Sequence, residues 1–302
     1  DNWPAKYRGD VFMNNIHGRR INHDRLARKG SGYAASHAPD VMRARDPWFV
    51  GVTLAYGPDG GVYVSDWSDT GECHHTRNTQ KHTGRIYKIT YGKPKPWRGD
   101  IGKLSAAELA KLHSHPNEWH VRHARRVLQE RANQALGQAE LIRTLTRSGD
   151  TIHRLRALWT LHCTRGLTAK RLTGLLRDKD EHLRAWAIQL LCEDKKPSGM
   201  ARKGFVRLAK TDKSPLVRLY LASAMHRLPL VQRIPVLKAL LAHAEDAPDQ
   251  NLPLMYWYAT EPVVAADKKV AVQLLGVCNI PKVRQFITRR MATSVGSKKE
   301  LP

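Results

Sequence analysis

An aliphatic residue followed by arginine recurs as Val121-Arg122, Leu155-Arg156, Leu183-Arg184 and Val217-Arg218, at spacings of 34, 28 and 34 residues. The recurrence limits the C-terminal two thirds of the chain to one kind of architecture. Apolar residues follow each pair at helical spacing, as Leu183, Trp186, Ala187, Leu190 and Leu191 in one copy and Val217, Tyr220, Leu221 and Ala224 in another. A two-helix unit of this length cannot bury its apolar stripe alone, so copies must stack into a continuous core. The period therefore predicts an α-solenoid of HEAT-like repeats over residues 105–302. The starts are marked as well. Ser105-Ala106-Ala107-Glu108 is a capping box. Asn117, Asp150, Thr168, Asp180 and Ser214 are N-cap candidates, with Pro215 at the first helical position after Ser214. The pattern predicts helices near 105–114, 117–131, 138–148, 150–164, 168–177, 180–193, 200–210, 214–227, 231–243, 251–259 and 267–277. The repeat arginines are expected to reach an Asp of their own or the adjoining repeat and so fix the stacking, rather than to bind a ligand.

Upstream the pattern is extended. Gly57-Pro58-Asp59-Gly60 is a tight turn, since Pro58 presets φ and Asp59-Gly60 supplies the bend. Phe49–Tyr56 before it and Val62–Val64 after it read as paired strands, and Gly84–Tyr91 reads as a third. Residues 9–16, 20–26 and 33–37 read as further strands, with a turn at Gly30-Ser31-Gly32. Antiparallel strands joined by short turns are the sequence form of a propeller blade. The fold class expected is multidomain, β then α: partial β-propeller blades over 1–92, a Pro-rich linker over 93–104, and HEAT-like repeats over 105–302. Ninety residues are too few to close a propeller ring. The chain starts at Asp1 with no initiating Met, charged n-region or apolar h-region, and reads as a piece of a longer protein.

Charge follows the same division. The net charge is +24, with 13 Lys/Arg against 9 Asp/Glu in residues 1–92 and 38 against 18 in the remainder. A basic field of this kind attracts nucleic acid, anionic lipid or an acidic protein. Spread over many helices, it also reads as an ordinary solvated surface. No run of eighteen apolar residues is present, so no transmembrane helix is expected. The four cysteines, Cys73, Cys163, Cys192 and Cys278, form no CxxC pair. That excludes a zinc ribbon, a thioredoxin motif and a CxxCH haem attachment within this chain. Three of them lie among apolar helical residues and read as buried thiols.

The richest polar cluster is Asp66-Trp67-Ser68-Asp69-Thr70-Gly71-Glu72-Cys73-His74-His75, on a loop after a strand. Asp66, Asp69 and Glu72 offer oxygens to a hard cation such as Ca²⁺. His74, His75 and His82 offer imidazoles for a metal or for proton transfer. No spacing here matches a defined metal motif, and Asp66 and Asp69 also read as turn residues bonding their own backbone. His17-Gly18-Arg19-Arg20 is a second cluster, able to hold an anionic group at a strand end. His17, Arg19, Asp66 and His74 are the candidate catalytic set, expected at one mouth of the β domain, with Asp66, Asp69 and Glu72 as the candidate metal set. His113, His115, His120 and His123 read as a helix surface. GxSxG, a P-loop and GxGxxG after a strand are absent from the sequence.

Several strings carry a resemblance. Asn15-Ile16-His17-Gly18-Arg19-Arg20-Ile21-Asn22, Arg45-Asp46-Pro47-Trp48-Phe49, Gly57-Pro58-Asp59-Gly60, Tyr63 to His74 and Gly84-Arg85-Ile86-Tyr87-Lys88 occur in that order. Together they resemble the last propeller blades of the PVC-type (Planctomycetes-Verrucomicrobia) membrane-bound dehydrogenase or haem-binding proteins. Asn117-Glu118-Trp119, Asp180 to Leu191 and Asn251 to Tyr258 are similar too. The resemblance implies a propeller like that of the glucose/sorbosone quinoprotein dehydrogenases, then HEAT-like helices, then a cytochrome c domain. It implies an exported, periplasmic or envelope-associated redox protein that oxidises a sugar or alcohol, with a quinone or Ca²⁺ as candidate cofactor. Haem c would belong to a C-terminal domain outside this chain, and the chain alone is expected to be inactive. Partners expected are a redox protein or its own cytochrome domain. Two other functions compete: a non-catalytic scaffold for a protein or polysaccharide, and a basic helical array binding nucleic acid. The exported family and the β segment weigh against nucleic acid.

Overall fold

The computed structural model describes residues 3–68, 82–131 and 135–296. Among the described residues six strands come first. β1 (Val11–Asn15), β2 (Arg20–Lys29) and β3 (Gly32–Arg43) form one sheet in that order. β4 (Gly51–Tyr56), β5 (Val62–Asp66) and β6 (Arg85–Ile89) form a second. β1 and β2 pair antiparallel with Val11 opposite Asp24 and Asn15 opposite Arg20. β4 and β5 pair through the Gly57–Gly61 turn, where Gly60 takes φ +79 and Asp59 Oδ1 accepts from Gly61 N at 3.1 Å. The turn is as the sequence dictates, because φ in this range suits glycine.

The expected propeller blades are not what these strands build. Among the described residues each sheet has three strands, and the two sheets share one small core of Ile21, Phe49 and Val64, with Phe12, Val41, Leu54 and Ile89 packed around it. Blades placed around an axis would each carry four strands. Two short sheets of three strands that share one cluster do not close a ring. Period-two alternation fixes which side of a strand is buried, not which sheet it joins.

Twelve α-helices follow among the described residues: α1 (Ala106–Lys111), α2 (Glu118–Glu130), α3 (Ala135–Arg147), α4 (Thr151–Cys163), α5 (Ala169–Leu175), α6 (Glu181–Leu191), α7 (Gly199–Thr211), α8 (Pro215–Met225), α9 (Leu230–Leu240), α10 (Leu252–Ala266), α11 (Lys268–Val277) and α12 (Pro281–Gly296). The capping box at Ser105 forms in full. Asn117, Asp150, Thr168, Asp180 and Ser214 each accept from backbone N–H groups of the helix they start. α12 lies beyond the predicted set, and α10 runs through Pro262 to Ala266.

Two compact units result. The first holds Asp1–Ala27 and Ala34–Gly166; within it α1 packs on α3 and α2 on α4. Asn117 also serves the sheets there, donating from Nδ2 to the Gly57 carbonyl at 2.9 Å, and His120 Nε2 meets the Pro58 carbonyl at 3.0 Å. The second unit holds Arg28–Tyr33 and Leu167–Pro302. In it alternate helices stack in two rows, α5-α7-α9-α11 and α6-α8-α10-α12. This repeat-like stacking buries Leu183, Ile188, Phe205, Val217, Leu221 and Tyr256. No helix of the described residues is long and apolar enough to cross a membrane.

Candidate functional site

The β-domain candidates differ in burial and in their hydrogen bonds. Asp66 ends β5 and is buried. Its Oδ1 accepts from Val50 N at 2.8 Å and Ser68 N at 2.9 Å, and its Oδ2 accepts from Arg85 Nε at 2.9 Å. Arg85 Nη1 donates in turn to Asp46 at 2.6 Å. The Trp48 N–H and then Arg85 hold the Asp46 carboxyl below the usual range. Asp66 is thus committed to closing the strand end. Arg19 stands exposed on the β1–β2 turn at φ +49; its carbonyl accepts from Ala44 N at 2.9 Å and its charge acts on Asp46. His17 is exposed on the same turn, and His82 is exposed ahead of β6. Asp69, Glu72, Cys73, His74 and His75 lie outside the described residues. Among the described residues no group of three or more His, Cys, Asp or Glu is placed to hold a metal ion.

The four histidines near α2 are less exposed than a helix surface would make them. His113 is fully buried, with Nδ1 3.1 Å from the Leu109 carbonyl and Nε2 2.6 Å from Thr160 Oγ1. Burial pushes its pKa down to about 4. His120 is buried against Trp97 and Trp119, and burial lowers it as well. His123 stacks on Trp119 with ring centres 4.0 Å apart. Two of the three helical cysteines, Cys192 and Cys278, are buried as read, and burial raises the Cys192 thiol to about 12. Cys163 is half-buried.

The feature that gathers chemistry is the row α5-α7-α9-α11. These four helices carry ten Lys/Arg and not one Asp or Glu: Lys170 and Arg171 on α5, Arg202, Lys203, Arg207 and Lys210 on α7, Arg233 and Lys238 on α9, Lys268 and Lys269 on α11. Four of them bond within the fold, among them Arg207 to the Leu176 carbonyl at 2.7 Å and Lys238 to Gln273 Oε1 at 2.8 Å. Arg233 donates to the Leu228 carbonyl at 2.9 Å and Arg202 to the Pro197 carbonyl at 2.7 Å. Lys170, Lys203, Arg207, Lys210, Lys268 and Lys269 are exposed. Open grooves run between neighbouring helices of the row. One, of ≈ 610 Å³ between α7 and α9, has Lys210, Lys238 and His243 over Val206 and Ala239. Another, of ≈ 430 Å³, lies between α5 and α7. Apolar side chains stand exposed on the same helices: Met200 at 72%, Val231 at 71% and Val272 at 58%. The sequence carried this signal in the absence of acidic residues from α5, α7, α9 and α11, while α6 and α10 carry Glu181 and Glu261. Reading charge by halves of the chain averaged it away.

Residues 1–93 match the family model of DUF7133, a domain of unknown function. No curated protein matches the sequence. Among solved structures, the chain is similar to two engineered proteins of a structural genomics programme. One shares 16% identity over 64% of this chain and 99% of its own, with a TM-score of 0.41. The other shares 17% over 64% and 96%, with a TM-score of 0.38.

Proposed function

We propose that this chain is a binding scaffold whose α5-α7-α9-α11 row docks an acidic protein partner. One observation carries the proposal: four neighbouring helices bear ten cations and no carboxylate. Such a field speeds encounter with an anionic surface and selects against basic ones. The exposed Met200, Val231 and Val272 support a protein as the partner. A nucleic acid backbone or an acidic polysaccharide offers charge but no aliphatic complement, whereas a protein segment offers both. α5, α7, α9 and α11 also lack an exposed aromatic ring on which bases would stack, since Phe205 is buried.

The resemblance of residues 15–88 to the PVC-type proteins supports a place for this scaffold in an exported redox protein. In that setting we assign the chain docking rather than turnover, and the acidic partner is a redox protein or a further domain of the same polypeptide. Asp66, engaged by Val50, Ser68 and Arg85, supports that division of labour.

Poly-L-glutamate, heparin and duplex DNA serve as probes, against the wild type and a variant with Lys170, Lys203, Lys210 and Lys238 changed to Glu. We expect poly-L-glutamate to bind the wild type and to lose at least tenfold in affinity on reversal, with helix content unchanged. Equal binding by both proteins, or binding of DNA or heparin without poly-L-glutamate, overturns the reading. Oxidation of an aldose or alcohol by the chain with an artificial electron acceptor would return chemistry to it.

A further inference from the structure

The groove between α5 and α7 contains two glycines with different explanations. A Cβ on Gly204 would come 2.7 Å from Leu176 Cδ1, so Gly204 is what lets α7 approach the end of α5. A Cβ on Gly174 would meet nothing within 4 Å. Glycine is a poorer helix former than alanine, and packing does not ask for it here. What glycine leaves at 174 is room. Lys170 stands one turn before it and Arg177 one turn after, while Lys203 and Arg207 line the facing wall. Arg207 keeps one N–H on the Leu176 carbonyl at 2.7 Å. Leu176 and the exposed Met200 add an apolar edge. The result is a slot open over Gly174 with cations on both walls, of a size that holds a side chain or small ligand.

Resting on the docking reading above, we infer that this slot is the anchor point of the interface. It receives one aromatic or bulky apolar side chain of an acidic segment. Carboxylates flanking that side chain pair with Lys170 and Arg177 on one wall and with Lys203 and Arg207 on the other. Interfaces concentrate their binding energy in such anchors, with near-neutral contacts around them. Charge along the whole row then governs encounter, and the slot governs residence.

The test compares poly-L-glutamate with a random copolymer of glutamate and tyrosine. The wild type is expected to bind the copolymer at least tenfold more tightly. Gly174→Leu fills the slot while improving the helix, so its melting temperature is expected to hold or rise. That variant should lose the preference for the copolymer and keep its affinity for poly-L-glutamate. No preference in the wild type, or a preference that survives Gly174→Leu, overturns the anchor and leaves the docking face standing. Failure of both polymers to bind the wild type overturns the docking face, and the anchor with it.

Discussion

His113 shows how one buried residue ties stability to pH. Its imidazole is neutral: desolvation and the nearby Arg125 and Arg156 charges act against the proton, although the Leu109 and Ala110 carbonyls favour it. With Nδ1–H donating to those carbonyls, the one Thr160 hydroxyl hydrogen goes to Nε2 instead of to the Arg156 carbonyl 2.9 Å away, while Thr160 Oγ1 accepts from Arg125 Nε at 3.1 Å. The folded pKa, about 4, lies below the unfolded 6.5. The unfolded chain therefore binds more protons in between, and the stabilisation is complete above pH 6.5 and lost as pH falls towards 4. The shift corresponds to about 3 kcal/mol. We expect urea unfolding of the wild type to lose that increment between pH 7 and pH 4, and His113→Gln to lose much less over the same interval. Parallel pH profiles would contradict it. The sequence grouped His113 with its neighbours as surface, because the partner Thr160 is 47 residues away. Gly30-Ser31-Gly32 tells the same story. The turn was legible, but not that Asp249 would accept from Ser31 N at 2.8 Å and Ser31 Oγ at 2.7 Å.

Helices of the second unit are joined by a recurring ion pair. Arg184 donates to both Asp212 oxygens at 2.7 and 2.9 Å, and Arg218 does the same to Asp246, each Asp lying 28 residues beyond its Arg. Arg218 also donates to the Asp212 carbonyl at 2.8 Å, so one aspartate serves both arginines. Tyr256 adds an O–H bond to Asp246 at 2.6 Å, and burial, then the Asp246 charge, keeps that phenol protonated. The Arg218 and Asp246 side chains are 3% exposed each, against 15% for Arg184. Breaking a buried pair leaves an uncompensated charge, so Arg218→Ala is expected to cost about 3–5 kcal/mol. Arg184→Ala, closer to water, should cost about 1–3 kcal/mol. Both are read from urea midpoints at constant m, with poly-L-glutamate affinity unchanged under folding conditions. Lost binding at full stability would assign these arginines to the partner instead. For Arg184 and Arg218 this device was legible because it repeats, through period, caps and aliphatic-Arg pairs; Arg156 pairs instead with Glu118, and Arg122 is exposed. The propeller reading failed at the same scale. Strand patterns over 9–91 gave turns and inward faces, while sheet membership depended on how Ile21, Phe49 and Val64 share a core.

At the scale of the molecule, the question is whether charge acts as a total or as a face. The net charge of +24 raises encounter rates with any anion, and that effect weakens beyond a Debye length of about 8 Å in physiological salt. A docking face instead sets how long a partner stays. α12 supplies a control, because Lys282 and Arg289 are exposed there and belong to the other row. Reversing them to Glu changes net charge as much as reversing Lys203 and Arg207 does. If charge acts only as a total, the two double variants will bind an immobilised glutamate–tyrosine copolymer with the same kinetics. If the α5-α7 slot anchors the partner, the two will part. Lys282→Glu with Arg289→Glu should slow association a few-fold and leave dissociation untouched, and the loss should fade as salt rises. Lys203→Glu with Arg207→Glu should in addition speed dissociation at least tenfold at either salt concentration, because carboxylates seated beside Gly174 lose the wall they pair with.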